Sequence, residues 1–326
     1  MLALVEIRPW HWAAFILGIL IFLALDLGLF HRQAHVVRVR EALFWTAICV
    51  AGALLFAVVL VPTRGPEEAI EFLTGYLIEL SLSMDNVFVI ALIFAYFRVP
   101  LELQHRVLFW GVLGALFMRG MMIWIGAELI SVFGWMLYVF GGFLILTGIK
   151  MVFSGQQGVR PEKNVVIRAV RSLFPVSDQF AGQRFTTRLN GQLALTPSAL
   201  VLVMVETTDL LFAVDSIPAI FAVTQKPFIV FTSNVFAILG LRSLYFVLAN
   251  AIGYFRYLKF GLSLVLVFIG AKMLLGYFGW YLPTGVSLGV VVGLIFLSML
   301  VSVLLATREE KISPLSKPED GGDEEP

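Results

Sequence analysis

Nine apolar runs of bilayer-spanning length follow one another along the chain, at about 11–30, 42–61, 70–97, 107–126, 129–152, 197–223, 228–249, 259–278 and 284–306. A backbone in lipid must satisfy its own hydrogen bonds, so such runs fold as helices. The expected fold class is therefore an all-α integral membrane protein with about nine transmembrane helices. Composition agrees: of 326 residues, 60% are hydrophobic and only 14% charged, with mean hydropathy +0.93. A soluble domain carries about 25% charge. The first run is about 20 residues long and lacks a small-residue cleavage site, so it reads as a span and not a removable signal. Trp10 and Trp12 mark its interface. The lipid bilayer is the first expected partner, and no nucleic acid is expected.

Basic residues orient the spans. Placing the N-terminus outside puts 31–41, 98–106, 150–196, 250–259 and the tail from 307 on the inner side, with 17 of the 23 Lys and Arg. The outer segments hold only Arg8, Arg64 and Lys226. The split predicts an external N-terminus and a cytoplasmic C-terminus in the bacterial inner membrane.

Two of the runs carry acids. One holds Glu79-Leu80-Ser81-Leu82-Ser83-Met84-Asp85-Asn86, the other Glu206-Thr207-Thr208-Asp209 through Asp215-Ser216. A carboxylate at the middle of a spanning helix costs about 2.5–3.5 kcal/mol on insertion scales. Five of them, Glu79, Asp85, Glu206, Asp209 and Asp215, need protons, basic partners or a bound cation.

The two stretches are also copies of one pattern. An ungapped offset of 130 places Glu79 on Asp209, Asp85 on Asp215 and Asn86 on Ser216. Arg119 and Arg242 recur in the next helix of each set, and Gly148-Ile149-Lys150-Met151 and Gly270-Ala271-Lys272-Met273 in the one after. Helices three to five thus resemble helices six to eight. Three helices separate the copies, an odd number, which predicts a 3+3 inverted-topology repeat with a site at its interface. The expected organisation is two N-terminal helices over 1–69, a first repeat over 70–152, a basic cytoplasmic loop over 153–196, an inverted second repeat over 197–278, a ninth helix over 279–306 and a disordered tail over 307–326.

The candidate donors are all oxygens: Asp85, Asn86, Asp215 and Ser216, with Glu79, Asp209 and Glu206 nearby. Oxygen sets suit manganese, magnesium and calcium, whereas sulfur and imidazole suit zinc and copper. On an unbroken helix Glu79 and Asp85 point about 120° apart, so convergence on one ion calls for local unwinding. Pro218 offers a break just after Asp215. The competing reading is that some acids only pair with Arg119, Arg242 or Lys272, which together with Lys150 are the candidate charge-pairing or gating groups. Asp26 either joins this set or pairs with Arg32 near the water.

Other features carry less. Cys49 is the single cysteine, so no disulfide forms within the chain, and it reads as a small packing residue. His31 and His35 read as loop residues, with a metal-sensing pair as the alternative. In the loop, Ile167, Val170 and Phe174 share a helical face, so 153–196 holds either a basic amphipathic helix on the inner leaflet or a plain linker.

Several stretches resemble the TerC family of bacterial membrane proteins, in particular its Alx-like branch. They are Asp26 through Arg32, Glu79 through Asn86, Thr196-Pro197, Glu206 through Thr224 and Thr232 through Arg242. The resemblance implies manganese efflux, with associations with tellurium resistance and alkaline-pH response. It also implies kinship with 3+3 inverted-repeat transporters and metal-site roles for the intramembrane acids.

The reading is a secondary transporter exporting Mn2+ as its substrate, with protons as the coupling ion and no resident cofactor. The alternatives are a transporter of another divalent cation such as Ca2+, or a non-transporting scaffold in tellurium, redox or alkaline-pH stress. An enzyme is not expected: neither a Gly-x-Gly-Asp or Tyr-Asp aspartyl-protease pair nor an ATP-binding glycine loop is present.

Overall fold

The computed structural model describes residues 7–25, 39–153, 164–189, 191–248, 258–280 and 282–312. Asp26, His31 and His35 lie outside the described residues, as does the tail from 313.

The described chain is almost wholly helical: α1 Pro9–Leu25, α2 Val39–Arg64, α3 Pro66–Tyr96, α4 Leu101–Val132, α5 Met136–Phe153, a short α6 Val165–Leu173, α7 Pro197–Phe221, α8 Pro227–Leu248, α9 Leu258–Tyr277 and α10 Thr284–Ile312. Among the described residues, seven helices are long and apolar enough to cross a membrane: α2, α3, α4, α5, α8, α9 and α10. The other two expected spans are α1, described over 17 residues, and α7, whose apolar run is diluted by Glu206, Asp209 and Asp215. Large apolar side chains such as Leu55, Val58, Phe117 and Leu211 face outward, as lipid-facing surfaces do.

Local chemistry sets the helix boundaries. Pro66 opens α3, and the preceding Gly65 has φ +98°, which allows the sharp turn out of α2. Proline also opens α7 and α8, at Pro197 and Pro227. Pro218 does not unwind α7. The helix runs on to Phe221 and closes with the Ala222 amide donating to the Pro218 carbonyl. So close to the C-terminus, proline removes little of the intrahelical ladder. α3 is equally unbroken. The expectation that unwinding gathers the acids is thereby corrected. α10 continues to Ile312, past the expected end at 306.

The helices pair closely. α3 packs on α8, α4 on α7 and α5 on α9. The α5–α9 seam is backbone on backbone: a Cβ at Gly270 would lie 2.5 Å from the Gly141 carbonyl oxygen. Ser263 Oγ donates to the Gly148 carbonyl at 2.6 Å across the same seam. Small residues that let backbones approach supply helix association in lipid.

The segment before α7 is not a plain linker. Asn164 caps α6 by accepting from the Val166 and Ile167 amides. A hairpin follows, β1 Thr186–Leu189 antiparallel to β2 Gln192–Leu195, and Gly191 at φ +82° lies in its turn. The Asn190-Gly191 dipeptide is a hairpin signal the sequence reading passed over.

Candidate functional site

Arg119 on α4 is among the largest fully buried side chains, at 1% exposure. An unpaired guanidinium at such depth is prohibitive, and two carboxylates from other helices meet it. Nε donates to Asp209 Oδ2 at 3.2 Å and Nη2 to Asp209 Oδ1 at 2.8 Å, a two-pronged pair across the α4–α7 contact. Nη1 donates to Glu79 Oε1 on α3 and, at 3.4 Å, to Ser216 Oγ on α7. Ser83 Oγ approaches the same Glu79 oxygen at 3.5 Å, one turn along α3.

The charges do not balance. Arg119 supplies one positive charge against two carboxylates. Glu79 is 0% exposed, and its second oxygen, Oε2, has no hydrogen-bond donor among the described residues. With both acids ionised, the cluster holds one excess negative charge and one bare acceptor oxygen away from water. A proton or a second cation relieves that cost.

Glu206 stands one turn from Asp209 on α7. Its Oε2 is also buried without a donor among the described residues. The carboxylate lies on Gly114 of α4, where a Cβ would sit 2.1 Å from Glu206 Oε1. Glycine there is what admits the carboxylate between α4 and α7.

The structure thus unites Glu79 and Asp209, the acids matched at the sequence offset of 130, on Arg119, with Ser216 beside them. Asp85 and Asp215 are half-buried on α3 and α7 and are not partners of Arg119. Lys150 lies in the last turn of α5, a helix packed against α7. Asn86 is buried on α3 with Oδ1 unpartnered, and Arg242 is buried on α8. Among the described residues, no three His, Cys, Asp or Glu side chains converge as a ready-made metal cage.

Sequence reasoning missed a second acidic cluster at the start of α3. Arg64 holds Glu68 at 2.7 Å, Lys226 reaches Glu68 at 3.3 Å and Glu71 at 3.1 Å, and Thr224 Oγ1 donates to Glu71 at 2.8 Å. Lys272 lies on α9. The signal was Glu68 and Glu71, three residues apart and so on one helix face.

A polytopic helical membrane protein with an acid–arginine cluster buried between three of its helices is the class these observations define. The sequence profile of the integral membrane protein TerC family matches residues 64–311, and the chain belongs to that family. It is 51% identical over 296 residues to an uncharacterized membrane protein of Myxococcus xanthus, covering 91% of this chain and 92% of that one. It is 46% identical over 312 residues to a proposed membrane-bound redox modulator, Alx, of Escherichia coli K12, covering 93% and 97%. A relative in Rickettsia felis, an uncharacterized membrane protein, is 38% identical over 293 residues, covering 90% and 97%. No solved structure matches the chain.

Proposed function

We propose that this protein is a secondary transporter of the bacterial inner membrane that exports Mn2+ in exchange for protons, with its N-terminus outside and its C-terminus in the cytoplasm. The observation that carries the reading is the unbalanced cluster of Glu79, Arg119 and Asp209 with its bare Glu79 oxygen. Arg119 acts as a tethered cation that keeps the acids tolerable when no ion is bound. An entering divalent cation offers a stronger partner to the oxygens of Asp85, Asn86, Asp215 and Ser216, and protons leave as it binds. Competition between metal and proton for the same oxygens is the physical basis of exchange.

The helix triplets α3–α5 and α7–α9 are read as inverted repeats, and their packing supports this. Exchanging the triplets turns the α3–α8 contact into α7–α4 and leaves α5–α9 unchanged, and all three contacts exist. Such a relation lets one triplet rock against the other around a fixed site.

Relatives named as redox modulators favour a second reading, a stress-response scaffold acting through the folded segment 164–196. Cys49 is the only cysteine and is buried, so this chain lacks a dithiol of its own. A redox effect would run through the metal it moves or through a partner. Cellular manganese after a Mn2+ load separates the two. Export predicts lower content with the wild type than with Asp85→Ala or Asp215→Ala at equal membrane levels. Equal content in all three cells favours the scaffold.

A further inference from the structure

We propose that α6 and the hairpin after it form a ledge that docks on the anionic lipid surface of the leaflet from which α7 starts. The occupant is the membrane, and three observations select it.

The first is depth. Asn164 Nδ2 contacts Met204 Sδ at 3.3 Å, while the Leu195 amide donates to the Pro175 carbonyl at 2.9 Å. α6 therefore runs antiparallel to the opening turns of α7, with its start about 10 Å further along α7 than Pro197, at 1.5 Å per residue. Its first residues lie about two turns into α7, a helix read from the sequence as a span.

The second is the division of its surface. Ile167 is buried and Val170 half-buried against Leu200, Val201 and Met204, which fixes the inward face. At 100° per residue, Val166 and Leu173 fall on one flank of that face, within about 20° of each other. Arg168 and Arg171 fall on the other flank. Val166 and Leu173 are 42% and 74% exposed among the described residues.

The third is charge. Segment 164–196 holds Arg168, Arg171, Arg184 and Arg188 against the single acid Asp178. Arg168 and Arg171 have no carboxylate partner among the described residues. An apolar flank beside a basic one, held at bilayer depth, fits apolar insertion with arginines among anionic headgroups.

Spin labels on the full-length protein test this. Cysteines replace Val166, Leu173 or Ser172 in a Cys49→Ser background, and the protein is reconstituted in phosphatidylcholine vesicles with and without phosphatidylglycerol. Labels at 166 and 173 are expected to relax several-fold faster with oxygen than with a water-soluble nickel chelate, whereas the label at 172 shows the reverse. Each basic residue near an anionic surface is worth about fivefold in association. Arg168→Gln/Arg171→Gln is thus expected to erase the difference between the two vesicle types. Nickel-accessible labels at 166 and 173 in monodisperse, correctly inserted protein, or insertion indifferent to phosphatidylglycerol and to the double substitution, overturn the proposal.

Discussion

Arg119 and Asp209 lie 90 residues apart in sequence and meet through two hydrogen bonds of 2.8 and 3.2 Å between buried side chains. The pair ties α4 to α7, and its third contact, to Glu79, ties both to α3. Arg119→Ala would leave two buried carboxylates without their cation. Breaking a buried pair from one side costs about 3–5 kcal/mol, so a large fall in melting temperature or failure to insert is expected. Arg119→Lys should recover only part of the loss, because an ammonium lacks the planar fork that spans Asp209. Thermal unfolding in detergent measures both, and a lysine variant as stable as wild type contradicts the two-pronged assignment.

The α5–α9 seam gives a sharper test of packing. Alanine at Gly270 drives its methyl into the Gly141 carbonyl and the Ile145 amide, both backbone atoms that cannot swing aside. Overpacking of this kind costs about 1–3 kcal/mol. Gly18 on α1 has no atom of another described segment within 4 Å of the same position, so Gly18→Ala should be neutral or slightly stabilising. Paired melting curves decide, and equal effects of the two changes argue against the seam.

At Gly114 the obstructing atoms belong to a movable side chain. Gly114→Ala is expected to displace the Glu206 carboxylate more than to unfold the bundle. Glu206→Ala should then abolish most of the cost of Gly114→Ala. A double-mutant cycle reads this coupling directly; additive effects would mean the two residues do not share that space.

Much of this was written in the chain. Bilayer-length runs announced the helices, because lipid leaves the backbone no alternative to helix. Glu79 and Asp209, matched at the offset of 130, both bond Arg119, which was among the expected charge-pairing groups. What periodicity could not show was selection: which of five acids the buried arginine takes depends on how α3, α4 and α7 pack. Gly114 was illegible for the same reason, since its role exists only when Glu206 arrives from another helix. Pro218 misled because its effect depends on how much helix follows it, and only one turn does.

Lys226 supplies a pH signature. Burial pulls its pKa down, but the bond and charge of Glu71, followed by those of Glu68, outweigh burial and raise it above 10.5. A raised lysine stabilises the fold fully below its unfolded value and loses that contribution as pH climbs through the folded one. Lys226→Met should therefore be less stable than wild type at neutral pH, with the gap closing on the alkaline side of the lysine range. Melting temperatures across pH for the two proteins check the sign. A gap that widens at alkaline pH contradicts the network.

In the proposed exchange the intramembrane acids carry a divalent cation against protons. The measurement is uptake of Mn2+, Ca2+, Mg2+ and Zn2+ into liposomes of purified protein under an imposed pH difference, with Asp85→Ala/Asp215→Ala in parallel. Saturable Mn2+ flux that moves protons the other way is expected, disappearing in the double variant while Arg119 still holds the fold. Correctly inserted protein that moves none of the four ions, or a double variant that transports as well as wild type, contradicts it.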